Sequence, residues 1–329
     1  MGDVARIAGV SASTVSHVLN RTRKVDTATR LRVEAAIEKT GYRRNIVARS
    51  LAAGRTHTVG LSISALTNPY FGSLVHAVER ALSDAGYVLI VGDSHDDLES
   101  EKRVTNSLLD RQVDGMIVAP AAGSERVTIP AITRTGTPLV LIDRSVDVGC
   151  DQVGPENVSS ARSLTEHLLD GGHRRIGVLR GLAGISSTTE RFDGYSTALA
   201  DRGIAVETAL VLDGASNTDV AEREVHALMS GRDRPTALVS LNNSMTIGAL
   251  KAVRSLGLSI PADLAFVCYD DFEWSDLFEP KLTAAAQDVE TIGATAVQLL
   301  LDRIRGNTDA PQRIHVPTTF HHRNSCGCT

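Results

Sequence analysis

Four groups of residues in this chain have types and spacings that could do chemistry. The first lies near the N-terminus, where Ala12, Ser13, Ser16, His17 and Asn20 recur at offsets of one, four and five. On a helix such positions are neighbours, so these five share one face while Val15, Val18 and Leu19 share the other. A narrow face of hydroxyls, an imidazole, an amide and a methyl suits base edges in a major groove, which admits one helix. A helical hairpin buried in a larger core would need large apolar groups on that face, and it has none. The second group collects polar and aromatic residues at the ends of apolar runs: Asn68, Tyr70 and Phe71, then Asp143 and Arg144, Asn242 and Asn243, and Asp270 and Asp271. Arg191 comes from the start of a helix after the loop 181–188, and Trp274 lies four residues beyond Asp270. For each alone the plain reading, a capping Asp or Asn or a surface Arg, is about as good as a functional one. Together they offer carboxylates, amides and a guanidinium for hydroxyls, with aromatic faces for a sugar or a base. The candidate small-molecule set is therefore Asn68, Tyr70, Phe71, Asp143, Arg191, Asn242, Asp270 and Trp274.

The other two groups are read against chemistry. Asp270 and Asp271 resemble an acid–base pair, but neighbours on a strand point to opposite faces. The chain carries no Gly-rich nucleotide fingerprint, no nucleophile elbow and no His-Glu-x-x-His. His321-His322 and Cys326-Gly327-Cys328 have metal-ligand types. They are read here as a polar C-terminal tail after the last strand. The expectation is no enzyme, no cofactor and no metal.

The elements that must position these groups follow from periodicity. Val4, Ala5, Ile7 and Ala8 are spaced for a first helix, Gly9 permits a tight turn, and Ser11 is placed to cap a second helix. Together they form a helix-turn-helix. Asp26 or Thr27 opens a third helix whose apolar stock is Leu31, Val33, Ala35, Ala36 and Ile37, and Gly41 ends it. Arg23, Arg30 and Arg43 are left at the rim. Asn45 can cap a two-turn helix that Gly54 ends. A helix this short is marginal alone in water. Its apolar groups, Leu51 above all, need a destination: a second subunit's copy or a minor-groove base step.

From residue 57 apolar runs alternate with helical stretches. The runs are 59–63, 87–91, 115–119, 138–142, 176–179, 206–212, 236–241 and 264–269. Such alternation predicts parallel, doubly wound sheets in two units meeting near 154–157. Ligands of open α/β sheets bind beyond the carboxyl ends of the strands, here between the units.

Charge is divided along the chain. Of 34 Lys/Arg and 39 Asp/Glu in 329 residues, the first 55 residues hold eleven bases and four acids, a net of +7. The remainder carries −12 of the overall −5. A basic end on an acidic body is the pattern of a nucleic-acid module joined to something that does not bind nucleic acid. No stretch reads as a signal peptide or a bilayer span, and four cysteines are too few for a disulfide scaffold, so a cytoplasmic protein with no membrane partner is expected.

These motifs are similar to those of the lactose-repressor/galactose-repressor (LacI/GalR) family of bacterial transcription regulators. The resemblance runs nearly end to end. It rests on Asp3-Val4-Ala5, Ala8 to Ser11, Thr14-Val15-Ser16, Leu19-Asn20, Thr29-Arg30, Gly41 to Asn45, Ala48, Leu51 and Asn68 to Phe71. It continues through Gly172 to Ile176, Arg191, Gly194-Tyr195, Gly257 to Asp263, Tyr269 to Asp271 and Leu282-Thr283. The resemblance implies a small all-α helix-turn-helix domain over 1–44, a hinge helix over 45–56, and a periplasmic-binding-protein-like (type I) body over 57–329. Its N-lobe would span about 57–156 and 287–318, and its C-lobe about 157–286 and 319–329. It further implies a homodimer on a near-palindromic double-stranded operator. Ala12, Ser13 and His17 would face bases, Leu51 would wedge a minor-groove step, and Ser11, Thr14, Asn20, Arg23, Arg30 and Asn45 would meet the DNA backbone. A small effector, a sugar or sugar derivative in the first instance and a purine or nucleoside in the second, would lie between the lobes. A solute receptor without a regulatory role is the alternative outside this class. Four positions depart from the family: no capping residue precedes the first helix, Ala12 offers only a methyl, Arg44 replaces a common proline, and Ala52 stands where a lysine sometimes reads a base. Six residues after Arg323 leave no room for a tetramerising helix, so a dimer is expected.

Overall fold

A computed structural model describes residues 1–20, 23–42, 54–272, 275–277 and 279–328, with Asn20 described in its backbone only. The expected hinge helix with Asn45 and Leu51, the side chain of Asn20, and Trp274 lie outside these residues. The described chain divides into two compact units, Met1–Thr56 and His57–Thr329.

The first unit holds α1 (Gly2–Ala8), α2 (Ala12–Asn20) and α3 (Thr27–Thr40). Gly9 turns the chain between α1 and α2 at φ 64°, in the left-handed region that favours glycine. The Ser11 hydroxyl accepts from the Thr14 N–H at 3.1 Å, capping α2. Asp26 accepts from the Thr29 N–H at 2.9 Å and caps α3, and Gly41 ends that helix at φ 61°. Hydrogen bonding to the ionised form holds the Asp26 carboxyl below its ordinary pKa. α1 starts from Met1 with no side-chain cap. Val4, Ala5, Ala8, Val15, Val33 and Ala36 form the core, with Val18 and Leu19 packed against it. Three apolar residues named for these helices lie outside the core. Leu31 is 60% exposed and Ala35 is exposed, because the core side of α3 is only the narrow stripe through Val33 and Ala36. Ile7 of α1 is likewise exposed.

The second unit contains two six-stranded sheets. The N-lobe sheet comprises β1 (Thr58–Ile63), β2 (Val88–Asp93), β3 (Gly115–Val118), β4 (Leu139–Ile142), β5 (Asp151–Pro155) and β11 (Arg313–Val316), ordered β11-β5-β4-β3-β1-β2 and wholly parallel. The C-lobe sheet comprises β6 (Ile176–Arg180), β7 (Val211–Asp213), β8 (Ala237–Ser240), β9 (Ala265–Tyr269), β10 (Thr283–Gln287) and β12 (Thr318–His321). Its order is β12-β10-β9-β8-β6-β7, and only the β10–β12 pair is antiparallel. Helices α4 (Pro69–Asp84), α5 (Leu98–Asp110), α6 (Thr128–Arg134) and α11 (Val289–Ile304) belong to the N-lobe. Helices α7 (Val158–Asp170), α8 (Ser186–Asp201), α9 (Thr218–Ser230) and α10 (Asn243–Ser255) belong to the C-lobe. The chain crosses between lobes after β5, between β10 and α11, and at Pro317. Central strands such as β3, β4, β8 and β9 are buried along their length, while β2 leaves Val88 63% exposed at the sheet edge.

Several elements differ from the sequence reading. The run 206–212 is a short 3-10 turn (Thr208–Leu210) followed by the three-residue strand β7. Strands β5, β10, β11 and β12 and helices α6 and α11 carry no pattern that the reading caught. The last residues are not a polar surface tail. Ser325 and Cys326 are buried, and the Ser325 hydroxyl donates to the Phe266 carbonyl at 2.6 Å while accepting from the Thr283 N–H at 2.8 Å.

Two close helix pairs build the C-lobe, α7 against α8 and α9 against α10. Each depends on a glycine. A Cβ on Gly194 would lie 2.2 Å from the Val158 carbonyl oxygen, and one on Gly248 would lie 2.2 Å from that of Thr218. Backbone cannot yield as a flexible side chain can, so Gly194→Ala and Gly248→Ala should each destabilise the fold by about 1–3 kcal/mol or more. Urea unfolding followed by circular dichroism measures this; a loss within ~0.5 kcal/mol would show that the helix pairs do not need the glycines.

Candidate DNA-reading helix and interlobe site

On α2 the structure exposes Ala12 and Ser13 and leaves Thr14, Ser16 and His17 half-buried, while Val15 faces the core. The Ser11 hydroxyl lies 2.8 Å from those of both Ser13 and Thr14, so the helix entrance presents a linked group of three hydroxyls. Arg23 and Arg30 are exposed. The surface thus offers short polar groups along one helix with guanidinium groups elsewhere on the same unit, the division of labour that base readout and phosphate contact require.

The second site lies where strands of both lobes end. Asp143 follows β4, Arg191 sits in α8 rather than at its start, Asn242 follows β8 and Asp270 follows β9. Asp143, Arg191 and Asp270 are all at least nine-tenths buried. They line one cavity with Asn68, Tyr70, Phe71, Asn242 and Gln287. Its free space is about 50 Å³, and beyond Tyr70, Asp270 and Gln287 lies a more open recess of about 350 Å³. Of the eight candidate effector residues the structure brings together seven; Trp274 lies outside the described residues.

Burying a guanidinium requires partners. The Arg191 Cζ lies over the Tyr269 ring, 3.6 Å from its centroid. Its Nε donates to Asn157 at 2.8 Å and one terminal nitrogen donates to the Leu241 carbonyl at 2.7 Å. Asp270 accepts from the Gln287 amide at 2.5 Å and from the Asn243 N–H at 3.1 Å. Burial pushes the Asp270 carboxyl above its usual range, and the Arg191 charge and these two donors pull it back only in part. Burial also raises Tyr70, with the carboxylates of Asp143 and Asp270 adding to the effect. The Tyr70 hydroxyl and the Gln287 Oε1 are buried without a hydrogen-bond partner. Such groups cost free energy unless something satisfies them.

Asn68 and Asn242 serve as helix caps and cavity lining at once. Asn68 accepts from the Tyr70 N–H at 3.1 Å, and Asn242 accepts from the Met245 N–H at 2.9 Å while donating to Ser216 at 3.0 Å. Phe71 packs edge-on against Tyr70 and is part of the N-lobe core. Arg144 is held inside the protein by Asp96 at 2.5 Å, Ser64 at 3.0 Å and the Pro120 carbonyl at 3.2 Å. Asp271 turns away from the cavity's carboxylates to Arg323 at 2.7 Å, so the neighbouring acids do not form an acid–base pair. The sequence reading missed Gln287, Asn157, Ser216 and Tyr269. Gln287 ends β10, so the strand-end rule would have found it had the alanine-rich Thr283–Gln287 been read as a strand.

The sign of the Asp270 shift yields a test. A carboxyl whose native pKa exceeds its unfolded value favours the fold at pH below the unfolded value. It loses that advantage as pH rises through the native value. Asp270→Asn should therefore melt at or above the wild-type temperature at pH 7, with the gap closing as pH falls toward 4. Gln287 can reverse its amide to accept from the new donor. Scanning calorimetry across pH reads this, and a gap that ignores pH would contradict burial as the cause.

Comparison with known proteins agrees with this architecture. Residues 1–45 match the profile described as bacterial regulatory proteins, lacI family, and residues 165–326 match a periplasmic binding protein-like domain. The chain is 33% identical to the HTH-type transcriptional repressor PurR of Aliivibrio salmonicida (strain LFI1238), over 92% of this chain and 91% of that one. It is 32% identical to the protein of that name in Yersinia pestis bv. Antiqua (strain Antiqua), over 98% and 95%. Among solved structures it resembles a Lac repressor dimer bound to operator and the anti-inducer ONPF, with 28% identity, 98% coverage of both chains and a TM-score of 0.88. It also resembles a transcriptional regulator CelR–cellobiose complex, with 29% identity, 98% coverage of both and a TM-score of 0.76. With a helix-turn-helix unit, a two-lobed parallel-sheet body and relatives along nearly its whole length, the chain belongs to the LacI family of bacterial regulatory proteins, the LacI/GalR DNA-binding transcription regulators.

Proposed function

We propose that the protein is an effector-responsive repressor: a homodimer that holds a near-palindromic operator and changes its grip when a small polar molecule enters the interlobe cavity. The observation that carries this reading is the buried cluster of Arg191, Asp143 and Asp270 beside the unpartnered Tyr70 hydroxyl and Gln287 Oε1. Two carboxylates and a guanidinium suit the alternating donors and acceptors of a sugar's hydroxyls. The inner free space of about 50 Å³ adjoins the recess of about 350 Å³ across Tyr70, Asp270 and Gln287. A sugar bound there would contact residues of both lobes at once, which would link occupancy to lobe geometry and supply the differential affinity that coupling requires. On the DNA side, Ala12, Ser13 and His17 are assigned to base edges and Ser11, Thr14, Asn20, Arg23, Arg30 and Asn45 to the backbone. Leu51 is assigned to the minor-groove wedge, where unstacking is offset by a bent, better-wrapped duplex.

A purine or nucleoside effector is the second reading. The relatives named PurR favour it, and Tyr70 and Phe71 supply aromatic surface at the cavity. Their description as transcriptional repressors also favours regulation over catalysis.

Thermal-shift titration of the full chain with monosaccharides, disaccharides, nucleobases and nucleosides separates these readings. A sugar should raise the melting temperature in the wild type and not in Arg191→Ala. A response to purines alone would replace the first reading with the second, and no response from either class would contradict both. Mobility shift on the chain's own promoter should weaken with rising salt. His17→Ala should weaken binding by about 1–3 kcal/mol, and Leu51→Ala should loosen it for all operators. Full affinity in both variants would refute the DNA assignment.

A further inference from the structure

We infer that His167, His322, Cys326 and Cys328 form a structural binding site for a soft divalent cation, zinc by ligand type, outside the effector cavity and the DNA-reading unit. The four donor atoms lie within 4.8 Å of one another. His322 Nε2 is 3.4 Å from Cys326 Sγ and 3.5 Å from Cys328 Sγ. His167 Nε2 is 3.0 Å from Cys328 Sγ, and the two sulfurs are 2.7 Å apart. Zinc–sulfur and zinc–nitrogen bonds of about 2.3 and 2.0–2.1 Å give tetrahedral ligand separations of roughly 3.3–3.8 Å. Two separations already match, and the shorter two need only a few tenths of an ångström to about one ångström of opening to enclose the ion. Two thiols and two imidazoles make the Cys₂His₂ set of structural zinc sites. Their softness disfavours magnesium or calcium, which take oxygen ligands.

The fold assembles this set from distant parts of the chain. His167 is in the last turn of α7, and its ring stands edge-on to that of His322, with centroids 5.0 Å apart. His322 follows β12, whose register on β10 places His321 opposite Ala284. The tail is fixed independently of any ion. Ser325 exchanges backbone and hydroxyl hydrogen bonds with Phe266, and its N–H donates to the Lys281 carbonyl at 3.0 Å. Gly327, at φ 77°, then turns the chain so that Cys326 and Cys328 face the same point. Cys326 is buried against the C-lobe core, whereas His322 is exposed, which gives an ion a path in. The other two cysteines are uninvolved: Cys268 lies in the C-lobe core and Cys150 packs in the N-lobe. On binding, both thiols release their protons to solvent and each imidazole binds as the neutral ring. The site would tie the end of α7, the last strand and the C-terminus together. The other end of α7 follows Asn157, the residue that holds Arg191.

The test uses untagged full-length protein, reduced and freed of metal, titrated with cobalt(II) and then with zinc. One cobalt per chain should bind, with intense tetrahedral ligand-field bands and a thiolate-to-cobalt charge-transfer band, and zinc should displace it. The paired Cys326→Ser and Cys328→Ser variant should lose the charge-transfer band and weaken binding by more than about 100-fold. His322→Ala, at an exposed position that the fold does not need, should weaken it by more than about tenfold. Cys150→Ser should bind as the wild type does. Chelator should lower the wild-type melting temperature and leave that of the double variant unchanged. A spectrum without thiolate character, equal uptake by the double variant, or a Cys326–Cys328 disulfide whose reduction yields no metal uptake would each overturn the site.

Discussion

The structure of the body turns on one buried cation. Arg191 is out of water, and a guanidinium there is tolerable only while its charge and donors are matched. The match comes from scattered places: the face of Tyr269 at the end of β9, the amide oxygen of Asn157 at a lobe crossing, the carbonyl of Leu241 after β8, and the carboxylate of Asp270. Asp143 in the other lobe adds its charge. Each partner stands at the carboxyl end of a strand or beside a crossing, so the parallel sheets must hold their register for the cluster to exist.

That arrangement makes the cavity sensitive to lobe position. Ser145 of the N-lobe donates its N–H to Ser186 of the C-lobe at 3.0 Å, and Tyr269 reaches the carbonyl of Glu156 at the crossing at 2.7 Å. The Tyr70 hydroxyl and Gln287 Oε1, buried without partners, add a cost that a polar guest would remove. The cavity therefore combines fixed charges with unmet hydrogen bonds, and differential satisfaction of such groups is the physical content of an effector response.

What the sequence revealed follows the strength of local signals. The helix-turn-helix was legible because Gly9, Ser11, Asp26 and Gly41 are turn and cap residues around a 3.6-residue apolar period, and each performs that role. Central strands were legible because strands buried on both faces read as continuous apolar runs. The strands that escaped sit at or near sheet edges and are polar or alanine-rich, as in Thr318–His321 and Thr283–Gln287. Losing β10 also lost Gln287. Leu31 misled because apolar character alone does not say which side of a helix meets a small core. The histidine–cysteine cluster was half visible: His322, Cys326 and Cys328 are close in sequence, but His167 joins them only through packing of α7 against the last strand. The resemblance to the family carried the assignment of strand-end residues further than their types alone allowed.

The central claim is that the Arg191 cluster transmits effector occupancy to DNA affinity. Its most direct test is the linkage between the two. Operator dissociation constants, measured by fluorescence anisotropy with and without saturating effector, give a coupling ratio for the wild type and for Arg191→Lys. A lysine keeps the charge but cannot match the planar, multiply bonded guanidinium. The account predicts that Arg191→Lys binds operator about as well as the wild type when no effector is present, and that its coupling ratio collapses toward one. A variant that keeps the full wild-type ratio at saturating effector would contradict it.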